Sequence, residues 1–252
     1  MRTWSVAGPC AAARDREHGA MLGVPKLGRR SRPFLIALIV LALLPIGGVL
    51  VHALVPPPMT MLMAQQLVGG KGLDYRWRGL NDISPNLVEA AVAAEDARFC
   101  SHAGFDMEAI EKALQTNAEG RKMRGGSTIT QQTAKNVFLW PSRDWIRKGL
   151  EAGYTVLIEA VWSKRRIMEV YLNVAEWAPG IYGAEAASQH WFRKPARDLT
   201  RREAARLAAI LPSPRRYDAA RPGPYVRRRA ARIQAASGTV RNDGLATCVI
   251  GR

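Results

Sequence analysis

Cysteine is scarce in this chain of 252 residues: only Cys10, Cys100 and Cys248 are present, and none belongs to a CxxC pair. An odd number of cysteines without paired spacing excludes a zinc ribbon or a disulfide scaffold as the organising principle. Charged residues make up 23% of the chain and hydrophobic residues 48%, a balance that excludes an intrinsically disordered protein. The length predicts one main domain with a small appendage.

Acidic residues are also few, 21 against 37 Lys and Arg, which gives a formal net charge of +16. The basic excess lies at the two ends: residues 1–33 hold seven basic and two acidic residues, and residues 193–252 hold fifteen and four. A nucleic-acid-binding protein usually carries its basic excess within the fold itself. The distribution therefore argues against a nucleic-acid partner.

One long apolar run, Phe34 to Val55, contains 22 residues without a formal charge. A helix of this length spans about 33 Å, which is enough to cross the hydrocarbon core of a bilayer. Basic residues precede the run, and the positive-inside rule then places the N-terminus in the cytoplasm. The predicted segments are a basic cytoplasmic segment at 1–33, a transmembrane helix at 34–55 and an exported juxtamembrane segment at 56–83. A cleaved signal peptide is the alternative, but no A-x-A site follows the run.

The remaining chain predicts a succession of helices with sparse strand signals, and therefore a mainly α fold. Polar residues at helix-start positions support this reading. The predicted N-caps are Ser84, Asp106, Ser127, Asp144, Ser163 and Thr200, the last in a capping box with Glu203. Tyr75 to Leu80 indicates a short strand, and Pro179-Gly180 a turn. A final arginine-rich helix at about 224–236, ending near Gly238, sets the main domain at 84–236 and a tail at 237–252.

Glu95 lies on an apolar helix face in this pattern. The face is formed by Val88, Val92 and Phe99. Desolvation disfavours the charged carboxylate and raises its pKa, so Glu95 is a candidate general base or acid. An ion pair with Arg98 or another cation is the structural alternative. His102 and Asp106 lack a third ligand nearby, which favours hydrogen bonding over a metal site.

A basic, glycine-bearing loop at 119–126 precedes the helix that starts at Ser127. Backbone N–H groups and the helix dipole at such a terminus suit a phosphate. The downstream cations are Lys135, Arg143, Arg147 and Lys148. Glu151 is a second carboxylate in this basic neighbourhood, and two acids in different environments are typical of sugar-transferring chemistry. A solvated loop and a surface Arg147–Glu151 pair are the alternatives.

Four ordered segments of the chain resemble the motifs of one enzyme family. They are AAEDARFCSHAGFD at 93–106, GGSTITQQTAKNVFL at 125–139, RKGLE at 147–151 and KRRIMEVYLNVAEW at 164–177. Together they resemble the peptidoglycan glycosyltransferase family, glycosyltransferase family 51. The resemblance implies a lysozyme-like, two-lobed helical domain after a single transmembrane helix. The absence of S-x-x-K and K-T-G predicts a member without a transpeptidase domain.

The resemblance also implies an activity: polymerisation of lipid II by inverting transfer of the growing glycan strand from undecaprenyl pyrophosphate to the 4-hydroxyl of the acceptor. Glu95 matches the family's catalytic base, and Glu151 matches the glutamate that assists at the leaving group. The matched substrate-binding positions are Ser127, Thr130, Gln131, Lys135, Asn136 and Arg143. No built-in cofactor is implied, although a divalent cation, Mg²⁺ or Mn²⁺, is a candidate at the pyrophosphate.

The expected location is the bacterial inner membrane, with a periplasmic catalytic domain. The expected partners are lipid II, the lipid-linked glycan strand and membrane lipids, with other cell-wall synthesis proteins as candidates and no nucleic acid. Arg227, Arg228, Arg229 and Arg232 are expected to form one face towards anionic lipid headgroups. A solvated helix that keeps the domain soluble is the alternative. A glycan-cleaving enzyme of related fold is the runner-up, and a non-catalytic cell-wall scaffold is a third possibility. Cys100 and Cys248 would both be exported and able to pair.

Overall fold

The computed structural model describes residues 32–70, 72–118, 126–142 and 144–251. The chain divides into two units, Met1–Leu41 and Ala42–Arg252. Of the described residues, the first unit contains only the beginning of helix α1 (Arg32–Leu54), and the second unit contains all other elements. The predictions for residues 1–31, for the loop cations of 119–125 and for Arg143 lie outside the described residues. Within the described ranges, no helix combines the length and apolarity needed to cross a membrane.

The described chain is mainly helical, as the sequence predicts. After α1, the helices are α2 (Met61–Val68), α3 (Pro85–Glu95), α4 (Met107–Ala118), α5 (Ile129–Phe138), α6 (Trp145–Val161), α7 (Lys164–Val174), α8 (Ala184–Phe192), α9 (Arg201–Ile210), α10 (Pro224–Asn242) and α11 (Thr247–Ile250). Three short strands, β1 (Asp74–Tyr75), β2 (Glu176–Ala178) and β3 (Ile181–Tyr182), form a sheet of order β1-β3-β2. β3 pairs parallel with β1 and antiparallel with β2.

Most predicted helix starts are confirmed by side-chain hydrogen bonds. Ser84, Asp144 and Ser163 accept from backbone N–H groups in the first turns of α3, α6 and α7, and Asp106 accepts from Ala109 N. The capping box of Thr200 with Glu203 is present at α9. These caps satisfy N–H groups that have no partner within the helix.

The predicted cap at Ser127 is wrong by one residue. Thr128 caps α5: its Oγ1 accepts from Gln131 N at 3.2 Å, and Gln131 Oε1 accepts from Thr128 N at 3.0 Å. This reciprocal pair is a T-x-x-Q capping box, and Thr128 has the extended backbone that an N-cap requires. Ser127 stands one residue outside the helix and is exposed.

Two helix ends also differ from the pattern. α3 ends at Glu95 instead of continuing to Phe99, because Asp96 leaves the helical region at φ −161° and ψ 77°. α10 continues through Gly238 to Asn242, where Val240 is buried in the core. Its end lies just before Gly244, which has a positive φ of 67°. The sequence pattern indicated none of the helices α2, α8 and α11.

Two sets of helix contacts position the candidate site. α3, α9 and α10 pack against one another, and α5 packs against α6 and α7. The core includes large, fully buried side chains, and their burial is the main favourable contribution to folding. These side chains are Trp177, Tyr171, Tyr182 and Phe99.

A disulfide between Cys100 and Cys248 confirms that these two cysteines can pair. It joins the segment that follows α3 to α11, across 148 residues of sequence. Arg165 of α7 donates to Val249 O at 2.7 Å, so α11 is held at a second point. α11 is therefore attached to the segment that carries Asp96 and His102.

We expect the double variant Cys100→Ser/Cys248→Ser to unfold at a lower temperature than the wild type. A disulfide that closes a long loop contributes about 2–4 kcal/mol to the free energy of unfolding, which corresponds to several degrees in melting temperature. Thermal unfolding of the full chain in detergent, with and without reductant, measures this. Cys10→Ser is the matched control and should respond to reductant like the wild type. A double variant that melts with the wild type would contradict the prediction.

Candidate active site

Glu95 is the last residue of α3, and its side chain is 15% exposed. Gln132 Nε2 donates to Glu95 Oε2 at 3.0 Å, and Arg229 Nη2 donates to Oε1 at 3.4 Å. Burial raises the pKa of Glu95, whereas the Gln132 hydrogen bond and the charges of Arg229 and Lys135 lower it by less. Glu95 is thus a partly desolvated carboxylate, as predicted. Its cation is Arg229 and not Arg98, which pairs with Asp106.

The next residue, Asp96, joins the end of α3 to the start of α5. Its buried carboxylate lies 2.8 Å from His102 Nε2 through Oδ1 and accepts from Ile129 N at 3.0 Å through Oδ2. Ile129 is the first residue of α5, whose N–H has no partner within the helix. We call Asp96, His102 and Ile129 the Asp96 junction. His102 is thus a hydrogen-bonding residue of the fold, as the sequence favours.

Gly104 brings the loop of the first motif into close contact with α5 and α6. It has a positive φ of 87°, and a Cβ atom at this position would lie 2.6 Å from Thr155 Cγ2. Thr128 Oγ1 donates to Gly104 O at 2.6 Å. Only glycine combines this backbone conformation with so close an approach. The glycine of the first motif is therefore explained by packing.

α5 carries side chains from the Glu95 carboxylate into an adjacent cleft. Gln132 contacts Glu95, and Lys135 and Asn136 lie three and four residues further along, on the same helix face. The cleft has a volume of about 500 Å³ and is lined by Leu62, Lys135, Asn136, Leu139, Trp140, Pro141, Ser142 and Arg147. Burial lowers the pKa of Lys135, an effect partly opposed by the carboxylates of Glu151 and Glu95. Lys135 therefore interacts with both candidate catalytic glutamates.

Glu151 lies on α6 and is buried between two cations. Arg147 Nη1 donates to Glu151 Oε2 at 2.6 Å, and Lys148 Nζ contacts Oε1. The Arg147–Glu151 pair is buried and is not the surface pair considered from the sequence. Arg147 also lines the cleft, and its buried Nε finds no hydrogen-bond acceptor among the described residues. One wall of the cleft is therefore cationic.

Three of the predicted substrate-binding residues stand apart from the cleft lining. Thr130 is fully buried and donates to Glu159 Oε1 at 2.5 Å, and Gln131 closes the capping box of α5. Ser127 is exposed ahead of that helix. Lys135 and Asn136 do line the cleft. The binding roles assigned to all five residues stay predictions.

Two residues of the site were missed in the sequence. Gln132 could have been found, because it lies one turn before Lys135 and Asn136 on the same helix. Arg229 had no local signal, since 134 residues separate it from Glu95. It was expected among four lipid-facing arginines, but the structure turns it towards Glu95 and leaves Arg227, Arg228 and Arg232 exposed.

A partly desolvated carboxylate beside a cationic cleft, with a second, cation-bound carboxylate that also acts on Lys135, suits the transfer of a sugar from a phosphate leaving group. Comparisons with known proteins agree with this class. The family model described as transglycosylase matches residues 63–237. The chain therefore belongs to the transglycosylase family, which confirms the resemblance.

Curated relatives carry a more specific description. The chain is 56% identical over 222 residues to a "Biosynthetic peptidoglycan transglycosylase" of Caulobacter vibrioides, an alignment that covers 88% of this chain and 97% of the relative. It is 53% identical over 228 residues to a protein of the same description in Rhodospirillum centenum, covering 90% and 97%. A third such protein, in Pseudomonas aeruginosa, is 52% identical over 186 residues, covering 71% and 80%.

We expect Lys135→Ala to lower turnover of lipid II by about tenfold to a hundredfold, because a bond to a charged group contributes about 1.5–3 kcal/mol. Lys135→Arg should keep part of the activity. Since burial lowers the pKa of Lys135, the wild type loses this charge at a lower pH than an ordinary lysine would. The alkaline decline of turnover should therefore move to higher pH in Lys135→Arg. The assignment of Lys135 to phosphate binding would be contradicted if Lys135→Ala turned over lipid II like the wild type. The same holds if it bound a phosphoglycolipid inhibitor with wild-type affinity.

Proposed function

We propose that this chain polymerises lipid II into glycan strands, as a peptidoglycan glycosyltransferase of cell wall synthesis. The observation that carries the proposal is the pairing of Glu95 with Gln132 and Arg229 next to the cleft lined by Lys135. The site lies within the segment that matches the transglycosylase family. The cationic wall of the cleft suits a pyrophosphate group. A glycan-cleaving enzyme would not need a site for pyrophosphate.

In the proposed reaction, Glu95 accepts the proton of the acceptor's 4-hydroxyl. The hydroxyl oxygen attacks the anomeric carbon of the donor strand as the bond from that carbon to the pyrophosphate oxygen breaks, which inverts the configuration. The proton then resides on Glu95, and the electron pair leaves with undecaprenyl pyrophosphate. Burial makes Glu95 a stronger base than an exposed glutamate, because it raises the pKa of the carboxyl.

The leaving pyrophosphate is assigned to the cationic wall of the cleft. Lys135 and Arg147 line the cleft, and Arg147 retains a buried Nε that finds no acceptor in the described part of the chain. Glu151 contacts Arg147 and Lys148 and so holds both cations in place. Cations fixed before the reaction stabilise the charge that develops on the leaving group. Arg143 remains a predicted member of this set.

A divalent cation at the pyrophosphate also remains a prediction. In the described ranges, no group of three or more His, Cys, Asp or Glu side chains is arranged to hold a metal ion. Glu95 and Glu151 are both engaged by cationic side chains. These residues do not fit a metal held by the protein, and no step of the proposed reaction depends on one.

We expect Glu95→Gln to lower the rate of lipid II polymerisation by about 10²–10⁴-fold, because glutamine keeps the volume of the side chain and removes the base. The full chain would be incubated with lipid II, and polymer would be separated from monomer by electrophoresis. Glu111→Gln, an exposed position on α4, is the matched control and should polymerise normally. Near-normal polymerisation by a Glu95→Gln variant that melts like the wild type would show that the base is elsewhere.

Anchoring in the bacterial inner membrane is part of the same proposal. The uncharged run at 34–55 and the basic residues before it support a retained single-pass anchor with a cytoplasmic N-terminus. The Cys100–Cys248 disulfide supports an exported catalytic domain, since such bonds persist outside the reducing cytoplasm. Membrane lipids and the lipid-linked strand would then meet the enzyme on the periplasmic side.

A pair of alkaline phosphatase fusions tests this topology, because the reporter is active only after export. We expect a fusion after residue 252 to be active and one after residue 31, before the apolar run, to be inactive. Sequencing of the mature N-terminus distinguishes an anchor from a cleaved signal peptide. An inactive fusion after residue 252, or a mature chain that begins near residue 56, would overturn the prediction.

A further inference from the structure

Arg229 reaches the candidate base from a different part of the chain. It lies on α10, whose buried stripe includes Val226, Ala230 and Ile233. Arg229 is three residues after Val226 and four before Ile233, so its side chain leaves from the edge of this buried face. The side chain is 26% exposed and contacts Glu95 Oε1 through Nη2 at 3.4 Å. Its Nε is buried and has no hydrogen-bond partner in the ranges that the structure describes.

A second ion pair joins the same two helices and offers a comparison. Arg241 of α10 contacts both carboxylate oxygens of Glu89 on α3, with Nε to Oε1 at 2.9 Å. Arg241 also donates to Asn86 Oδ1 at 3.2 Å. This two-point contact is a bidentate ion pair, the geometry expected of a structural contact between two helices. Arg229 instead makes one long contact with Glu95, which lowers the pKa of the carboxyl without enclosing both of its oxygens.

The other charged and titratable groups around Glu95 act in different directions. Lys135 on α5 lowers its pKa, and Asp96, next in sequence, raises it. The buried hydroxyl of Tyr171 on α7 is also within electrostatic range of Glu95. Lys135 interacts with Glu151 as well, and more strongly. Among the described residues, Arg229 is therefore the cation that contacts Glu95 directly.

We propose that Arg229 is a positioning residue for glycan transfer, which keeps the Glu95 carboxylate ionised and oriented while leaving it able to accept the acceptor's proton. The inference rests on the proposed function, because it needs Glu95 as the base. Without Arg229, the effects of burial and of the adjacent Asp96 charge would be opposed by less, and Glu95 would be protonated over more of the working pH range. With a bidentate arginine, the carboxylate would be held ionised too firmly to take a proton.

The pH dependence of polymerisation distinguishes this role from a structural one. Loss of the Arg229 charge raises the pKa of Glu95, and the base works only when ionised, so the acid limb of the rate profile must move to higher pH. We expect Arg229→Gln to shift that limb by about one unit, which lowers turnover in the acid range by about tenfold. At alkaline pH its turnover should approach that of the wild type. Arg229→Lys should keep the wild-type limb.

Full-length Arg229→Gln, Arg229→Lys and the exposed neighbour variant Arg228→Gln would be assayed with lipid II across pH, and their melting temperatures measured. None of these substitutions changes the Glu89–Arg241 pair, which joins α3 to α10. An unshifted acid limb in Arg229→Gln overturns the inference. A loss of rate in this variant that is equal at every pH also overturns it, and so does an equal shift of the acid limb in Arg228→Gln. If Arg229→Gln does not fold, Arg229→Lys decides, because a shifted limb in that variant overturns the proposal and an unshifted one supports it. Normal polymerisation by Glu95→Gln would instead show that the base is elsewhere and remove the premise of this inference, whereas a wild type that does not polymerise lipid II would refute the proposed function.

Discussion

The geometry of the site depends on one buried carboxylate. Asp96 leaves the helical conformation at the end of α3, and its two oxygens are taken by His102 Nε2 and Ile129 N. A buried carboxylate is costly unless it is hydrogen-bonded, and the first N–H groups of a helix need acceptors. The N–H of Ile129 gives the Asp96 carboxylate a hydrogen bond, and the carboxylate gives that N–H its acceptor. Because Glu95 precedes Asp96 and Gln132 lies one turn into α5, this contact sets the distance between base and cleft.

The two glutamates of the site are buried in different electrostatic surroundings. Glu151 contacts Arg147 and Lys148 and is compensated by charge on both oxygens. Glu95 has one amide donor and one long contact to Arg229, and burial raises its pKa. At Glu95, desolvation outweighs this weak compensation, so its carboxylate is suited to accept a proton. Lys135 interacts with both carboxylates and links the proton-accepting part of the site to its cationic part.

Local chemistry was readable from the sequence, and long-range contacts were not. A cap depends on a residue and its near neighbours, which is why Ser84, Asp144 and Ser163 were found. Ser127 and Thr128 both carry hydroxyls, and only the backbone angles identify Thr128 as the cap. Glu95 was recognised by its apolar face and motif. Arg229 could not be found in this way, because its partner is brought to it by the packing of α10 against α3.

The C-terminal region is basic for more than one physical reason. Arg229 and Arg241 on α10 face carboxylates of α3, so part of the positive charge compensates acids at a helix interface. Residues 237–242 continue α10, and Thr247–Ile250 form α11, which the disulfide attaches to the segment after α3. Ion pairs thus hold α3 itself, and a covalent bond holds the segment that follows it. A region whose composition resembles a solvated tail therefore supports the base, because removing either contact would leave the end of α3 less constrained.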